Sequence, residues 1–164
     1  MFRLHKKIGN NSEIKKEIDL KTVIFKNEDE MRNWIANNLD KLLPSLTFLS
    51  AEYSIGRKFL DILALNFSKN AFIIIECKLG SESEISQLIG YVAKVKHAKK
   101  EEIDKLKGIA WDKYYSINKE YEAMNSDFYS LEETKIILIK PYFEDWVIEL
   151  AKETSFVILA KIGI

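Results

Sequence analysis

Asp61, Glu76 and Lys78 are the residues whose types and spacing could do chemistry together. Asp61 stands in the apolar stretch 58–65, and Glu76-Cys77-Lys78 closes the β-branched stretch 71–78. In a strand alternate residues share a face, so Glu76 and Lys78 point the same way as Phe72 and Ile74. The polar run 67–70 reads as a hairpin loop; Asn66 then pairs with Ala71, and the same register sets Asp61 opposite Glu76. Two carboxylates and an ammonium on a hydrophobic sheet are costly unless they compensate one another or bind something. Carboxylates on adjacent strands offer hard oxygen ligands to a divalent ion such as Mg²⁺, which keeps several waters and takes a substrate phosphate. A lysine beside such an ion can position or activate a water. That is phosphodiester hydrolysis in outline, although Glu-x-Lys alone fits a structural ion-pair cluster or ordinary solvent-facing charges better.

Other residues could serve the same chemistry. Gln87 and Tyr91 are four apart, so they share one side of a helix, offset from an apolar stripe of Ile85, Leu88, Ile89, Val92 and Val95. Arg57 heads the Asp61 strand after Gly56, and a planar guanidinium suits bidentate phosphate contact. Lys58 beside it, and Lys94 at the head of a basic run through Lys100, could hold phosphates, although Glu101, Glu102 and Asp104 follow at once. Glu28 and Glu30 stand in the first turn of a helix capped by Asn27, where carboxylates also suit the helix dipole. Cys77 reads as a small apolar residue on the opposite side of its strand, and His5 as incidental. No Ser–His–Asp order, phosphate-cradling glycine loop or zinc spacing is present.

The elements that must position these groups follow from periodicity. Residues 1–19 suggest an arm or two short strands around a Gly9-Asn10-Asn11 turn, and 20–25 a short β-like run. A helix through Met31, Trp34, Ile35, Leu39 and Leu42 runs to a stop at Pro44. Stretches 47–53, 58–66 and 71–78 read as strands. Near the end, strand 135–140, a helix opened by Pro141-Tyr142-Phe143-Glu144, and strand 155–162 make a βαβ unit, so part of the sheet is parallel. Residues 108–131 hold Trp111, Tyr114, Tyr115, Tyr121 and Tyr129, a set that could form core, stack on bases or build a dimer.

At 164 residues, 47% of them hydrophobic, the chain can bury a core of its own. Lys plus Arg and Asp plus Glu balance at 25 each, so no bulk cationic field advertises a nucleic-acid or membrane partner. A single cysteine excludes an internal disulfide and suits a reducing compartment. No apolar run reaches the length needed to span a bilayer. A cytoplasmic protein with no membrane partner is the expectation.

The ordered set Asp61, Glu76-Cys77-Lys78 and Gln87-Leu88-Ile89-Gly90-Tyr91, introduced by Ile55-Gly56-Arg57-Lys58-Phe59-Leu60, resembles the PD-(D/E)XK nuclease superfamily, in particular its RecB-like and NucS-type branches. The resemblance covers residues 22–98 well and 134–162 loosely. It departs from the pattern at Leu60, where the family's motif has Pro, and the residues before Leu20 leave no room for the separate N-terminal DNA-binding domain of NucS-type enzymes. It implies an α/β fold with a restriction-endonuclease-like core: a central mixed sheet flanked by helices on both faces. It implies that Asp61, Glu76 and the Cys77 backbone carbonyl hold Mg²⁺ or Mn²⁺, with Glu28, or else Glu30, completing the metal site. Lys78 would orient or activate the attacking water, with Gln87 and Tyr91 beside the metal, and Arg57, Lys58, Gln87, Tyr91 and Lys94 would contact DNA.

The expectation is thus one nuclease domain over 1–164. Within it 1–19 is an N-terminal arm or short strands, 20–98 the catalytic core, 99–133 a helical or inserted region, and 134–164 the closing strand-helix-strand. The expected activity is Mg²⁺- or Mn²⁺-dependent DNA cleavage, endonucleolytic and tied to DNA structure, repair or restriction, with a homodimer possible. The alternative is a non-cleaving nucleic-acid-binding or assembly module on the same fold.

Overall fold

The densest hydrophobic stretch of the chain lies inside the sheet, next to its middle strand. Strand β5 (Ala71–Cys77) is buried along its whole length, which for a run rich in Ile means that both of its faces are covered. Around it a computed structural model describes residues 2–8, 11–18, 24–55, 58–66, 69, 71–80, 85–99, 101–102, 104–106, 108–109, 112 and 130–162. Their strands are β1 (Phe2–Ile8), β2 (Asn11–Ile18), β3 (Thr47–Ile55), β4 (Lys58–Asn66), β5, β6 (Ser130–Lys140) and β7 (Val157–Ile162). They form one sheet in the order β2-β1-β7-β6-β5-β4-β3. β5, β6 and β7 run parallel, and the other neighbouring pairs are antiparallel.

Helices cover both faces. On one, α1 (Glu28–Asn37) and α2 (Leu39–Leu42) bring Met31, Ile35, Leu39 and Leu42 onto Ile62, Ile73, Ile75 and Cys77. On the other, α3 (Ile85–Lys96) and α4 (Asp145–Glu153) bring Leu88, Tyr91, Val92, Val95 and Val147 onto Leu63, Phe72, Ile74 and Leu138. This is the α/β, restriction-endonuclease-like architecture with a mixed central sheet. Among the described residues no helix is long and apolar enough to cross a membrane.

The expected hairpin register holds, with Asn66 paired to Ala71 and the β4–β5 ladder continuing to Ile62 and Ile75. Asn27 caps α1 as expected, its side chain accepting from the Glu30 N–H at 2.8 Å.

Several boundaries differ from the sequence expectation. The helix expected to run to Pro44 is interrupted at Asn38, whose side chain donates to the Trp34 carbonyl at 2.8 Å. A carbonyl at the end of a helix lacks an intrahelical partner, so an amide side chain there favours termination. The helix expected to open at Pro141 begins at Asp145, after an extended Glu144. Ile89, expected in the apolar stripe of α3, is 42% exposed, while Tyr91 is buried. β3 runs on to Ile55, β6 begins at Ser130 rather than 135, β5 stops at Cys77, and β7 begins at Val157 rather than 155. Ile24 and Phe25, at the end of the β-like run expected over 20–25, are not in a strand. Arg57 and the aromatic set from Trp111 to Tyr129 lie outside the described residues, as does the side chain of Lys58.

Candidate active site

The β4–β5 ladder ends at the pair Ile62 and Ile75, so the next residues, Asp61 and Glu76, face each other where the strands part. Asp61 substitutes its side chain for the missing ladder bond: its Oδ2 accepts from the Cys77 N–H at 2.8 Å. β5 stays fixed to β6 past its own end, through the Lys78 N–H donating to the Ile139 carbonyl at 3.0 Å.

Lys78 spans two carboxylates. Its Nζ lies 3.2 Å from Glu76 Oε1 and 3.4 Å from Glu28 Oε2. The other oxygen of Glu28 accepts from the Leu79 N–H at 3.1 Å, so the first turn of α1 is fastened to the residues leaving β5. Of the two candidate acids on that helix, the structure brings Glu28 to the site. Glu30 is occupied elsewhere, its Oε2 accepting from the Lys26 N–H at 2.7 Å in a capping arrangement.

Electrostatics at the pair are strained. Glu76 is 2% exposed, and its Oε2 has no hydrogen-bond partner among the described residues. Burial, then repulsion from Asp61, push its carboxyl up to about 7 even against the attraction of Lys78. Burial also raises Asp61, partly offset by the Cys77 N–H, Lys78 and Arg32. Burial alone would pull the Lys78 ammonium down, but the summed attraction of Glu76, Glu28 and Asp61 outweighs it and holds the group above its ordinary value. The Cys77 thiol lies in the core on the α1 side, as its place in the strand predicts. Burial, Asp61 and Glu76 keep it protonated far above its usual range, so it is an inert neighbour.

Gln87 and Tyr91 face each other on α3. The Gln87 amide donates to the Tyr91 hydroxyl, and that hydroxyl donates to the Phe59 carbonyl at 3.0 Å. The pair therefore grips β4 two residues before Asp61. Lys94 is exposed on the same helix.

Arg32 was not among the residues that the sequence singled out for the site. It lies one turn after Glu28 on α1, and its Nη1 approaches Asp61 Oδ1 at 3.9 Å. A basic residue four positions after Glu28 was the available signal, but the contact joins residues far apart in the chain.

The donor set fits a divalent cation. Two carboxylates that repel one another, one with a buried and unpartnered oxygen, gain from a shared positive charge. Among the described residues no group of three or more His, Cys, Asp or Glu side chains forms a metal cage. Asp61 and Glu76 are the carboxylates that the register sets opposite each other, with Glu28 directed to Lys78 instead.

No family model matches this chain, and no curated protein matches it either. Among solved structures it is similar to a repair endonuclease from Pyrococcus abyssi, with a TM-score of 0.54 and 16% identity over 87% of this chain and 50% of that one. The EndoMS-dsDNA2 complex matches with a TM-score of 0.48 and 15% identity, over 92% of this chain and 50% of that one. The chain thus spans about half the length of the structures that it resembles. At these identities the likeness is one of fold.

Proposed function

We propose that this chain is a metal-dependent deoxyribonuclease that hydrolyses phosphodiester bonds. The observation that carries the reading is the buried Glu76, with one oxygen unpartnered among the described residues, set opposite Asp61 at the end of a hairpin and paired to Lys78. A structural ion-pair cluster would have its oxygens satisfied. A fold shared with a repair endonuclease supports DNA as the substrate and an endonucleolytic role in repair or restriction.

Asp61, Glu76 and the Cys77 carbonyl would hold Mg²⁺ or Mn²⁺. Such an ion supplies Lewis-acid polarisation of a phosphoryl oxygen and a water acidified toward neutral pH. The Cys77 N–H and the hairpin register keep Asp61 aimed at Glu76. Lys78, held as an ammonium by Glu76 and Glu28, donates to the attacking water or to the charge that develops on the phosphoryl oxygens. Glu28 anchors Lys78 and Leu79, and Gln87 with Tyr91 fixes the strand that carries Asp61. Arg57, Lys58 and Lys94 are the candidate contacts to the DNA backbone.

The test incubates labelled single-stranded, duplex, forked and mismatched DNA with the protein in Mg²⁺, Mn²⁺ or EDTA, beside Asp61→Ala. Metal-dependent cutting that the variant loses supports the reading. DNA binding without cutting of any substrate moves it to a non-cleaving module on the same fold.

A further inference from the structure

Arg32 sits in an arrangement that stability does not explain. Its side chain is 14% exposed, and its Nε is buried without a hydrogen-bond partner among the described residues. An orphaned buried donor is destabilising. Its Nη2 is held by Asp29 at 3.2 Å and by Glu52 at 3.3 Å. Glu52 adopts a left-handed backbone, φ 50°, a conformation unfavourable for a residue with a Cβ. Two unfavourable features thus surround a guanidinium whose remaining nitrogen, Nη1, faces Asp61 Oδ1 at 3.9 Å.

Asp61 needs such a neighbour. It stands where the β4–β5 ladder has ended, opposite a second carboxylate, and among the described residues its one hydrogen bond is at Oδ2, from the Cys77 N–H. Arg32, braced against two further acids, sets a fixed positive charge beside the Asp61 oxygen that the Cys77 N–H leaves. The same positive charge opposes a cation arriving at Asp61.

We propose that Arg32 is a positioning residue that aims Asp61 and holds down the affinity of the empty enzyme for divalent metal, so that metal binds firmly only with a DNA phosphate in place. This rests on the nuclease reading for its metal and DNA arms, but the Asp61 geometry can be tested without either.

The experiment compares wild type, Arg32→Gln and Arg32→Lys by three readouts. Amide hydrogen exchange of the metal-free proteins reads the Cys77 N–H. Arg32→Gln lowers its protection roughly tenfold and leaves that of Ile75, deeper in the same strand, unchanged. Calorimetric titration with Mn²⁺ alone gives binding roughly tenfold tighter for Arg32→Gln, because a cation near the site has gone, and near wild type for Arg32→Lys. In cleavage, kcat falls at least about tenfold in both variants with KM for DNA unchanged, since an ammonium lacks the planar fork.

Unchanged Cys77 protection in Arg32→Gln overturns the inference, whatever the enzyme does to DNA. A raised KM at unchanged kcat overturns it too, and makes Arg32 a phosphate contact. Wild type that neither binds Mn²⁺ nor cuts, with Cys77 protection still dependent on Arg32, defeats the nuclease reading and leaves Arg32 as the residue that positions Asp61.

Discussion

Replacing Glu76 by glutamine tests whether that carboxylate is a strained ligand or a contented ion-pair partner. Its carboxyl is raised from 4.5 to about 7 in the folded chain. An acid with a folded-state pKa above its unfolded value favours folding when protonated, and the benefit is lost as pH rises through about 7. The full penalty above that pH is about 3 kcal/mol, taking 1.36 kcal/mol per unit. At pH 5.5 the folded group is still protonated while the unfolded one is mostly ionised, so about 1 kcal/mol of the penalty is present. Between pH 5.5 and pH 8.5 wild type therefore loses about 2 kcal/mol that the Glu76→Gln protein, with nothing to titrate at this position, does not lose. In a domain of this size that is a relative shift in Tm of roughly 4–8 °C. The assay is thermal unfolding of both proteins in EDTA at the two pH values, repeated with Mg²⁺. The ion should raise the Tm of wild type at pH 8.5 by a fraction of that deficit and do little for the variant, because ligand binding to the folded state alone stabilises it. A Tm difference that does not widen with pH refutes the reasoning. It would place Glu76 as an ionised group satisfied by Lys78 and leave no strained pair for a metal to relieve.

Two further outcomes follow from the packing around the site. Tyr91→Phe removes the hydroxyl shared by Gln87 and the Phe59 carbonyl, and should cost about 1–2 kcal/mol in urea unfolding; cleavage should also fall, because the strand bearing Asp61 loses its grip on α3. Asn27→Ala removes the cap of α1, costing about 1 kcal/mol, and should loosen Glu28 from Lys78, read as a lower Tm together with a lower kcat.

Much of the site was legible because it is local in the chain. The hairpin register followed from a polar loop between two apolar strands, and the register carried Asp61 to Glu76 without further information. The cap at Asn27 and the first-turn acids followed from helix-end chemistry; the preference for Glu28 over Glu30 came from its spacing to Met31 in the family resemblance, and the structure places Glu28 on Lys78. The break at Asn38 was hidden because the apolar positions Met31, Ile35, Leu39 and Leu42 continue in helical period across it. Tyr91 read as polar flank and Ile89 as core. The structure exchanges them, because the Tyr91 hydroxyl finds partners that let its ring be buried. Arg32 stood out only as a scarce arginine, a planar donor fork, and was not tied to Asp61 because the contact joins a helix on one layer to a strand end, and no periodicity encodes that. The docking of β1 on β7 likewise pairs the two ends of the sequence, beyond the reach of local pattern.

The central claim is that Asp61, Glu76 and Lys78 form a hydrolytic centre for DNA, and cleavage by a Lys78→Ala protein tests it most directly. Wild type and variant are titrated with Mn²⁺ and then assayed on the DNA that wild type cuts best. The account predicts metal binding in both and a loss of cleavage of about 100-fold or more in the variant, the scale expected when a group stabilising a transition state is removed. A Lys78→Ala protein that binds Mn²⁺ and cuts at the wild-type rate would contradict it.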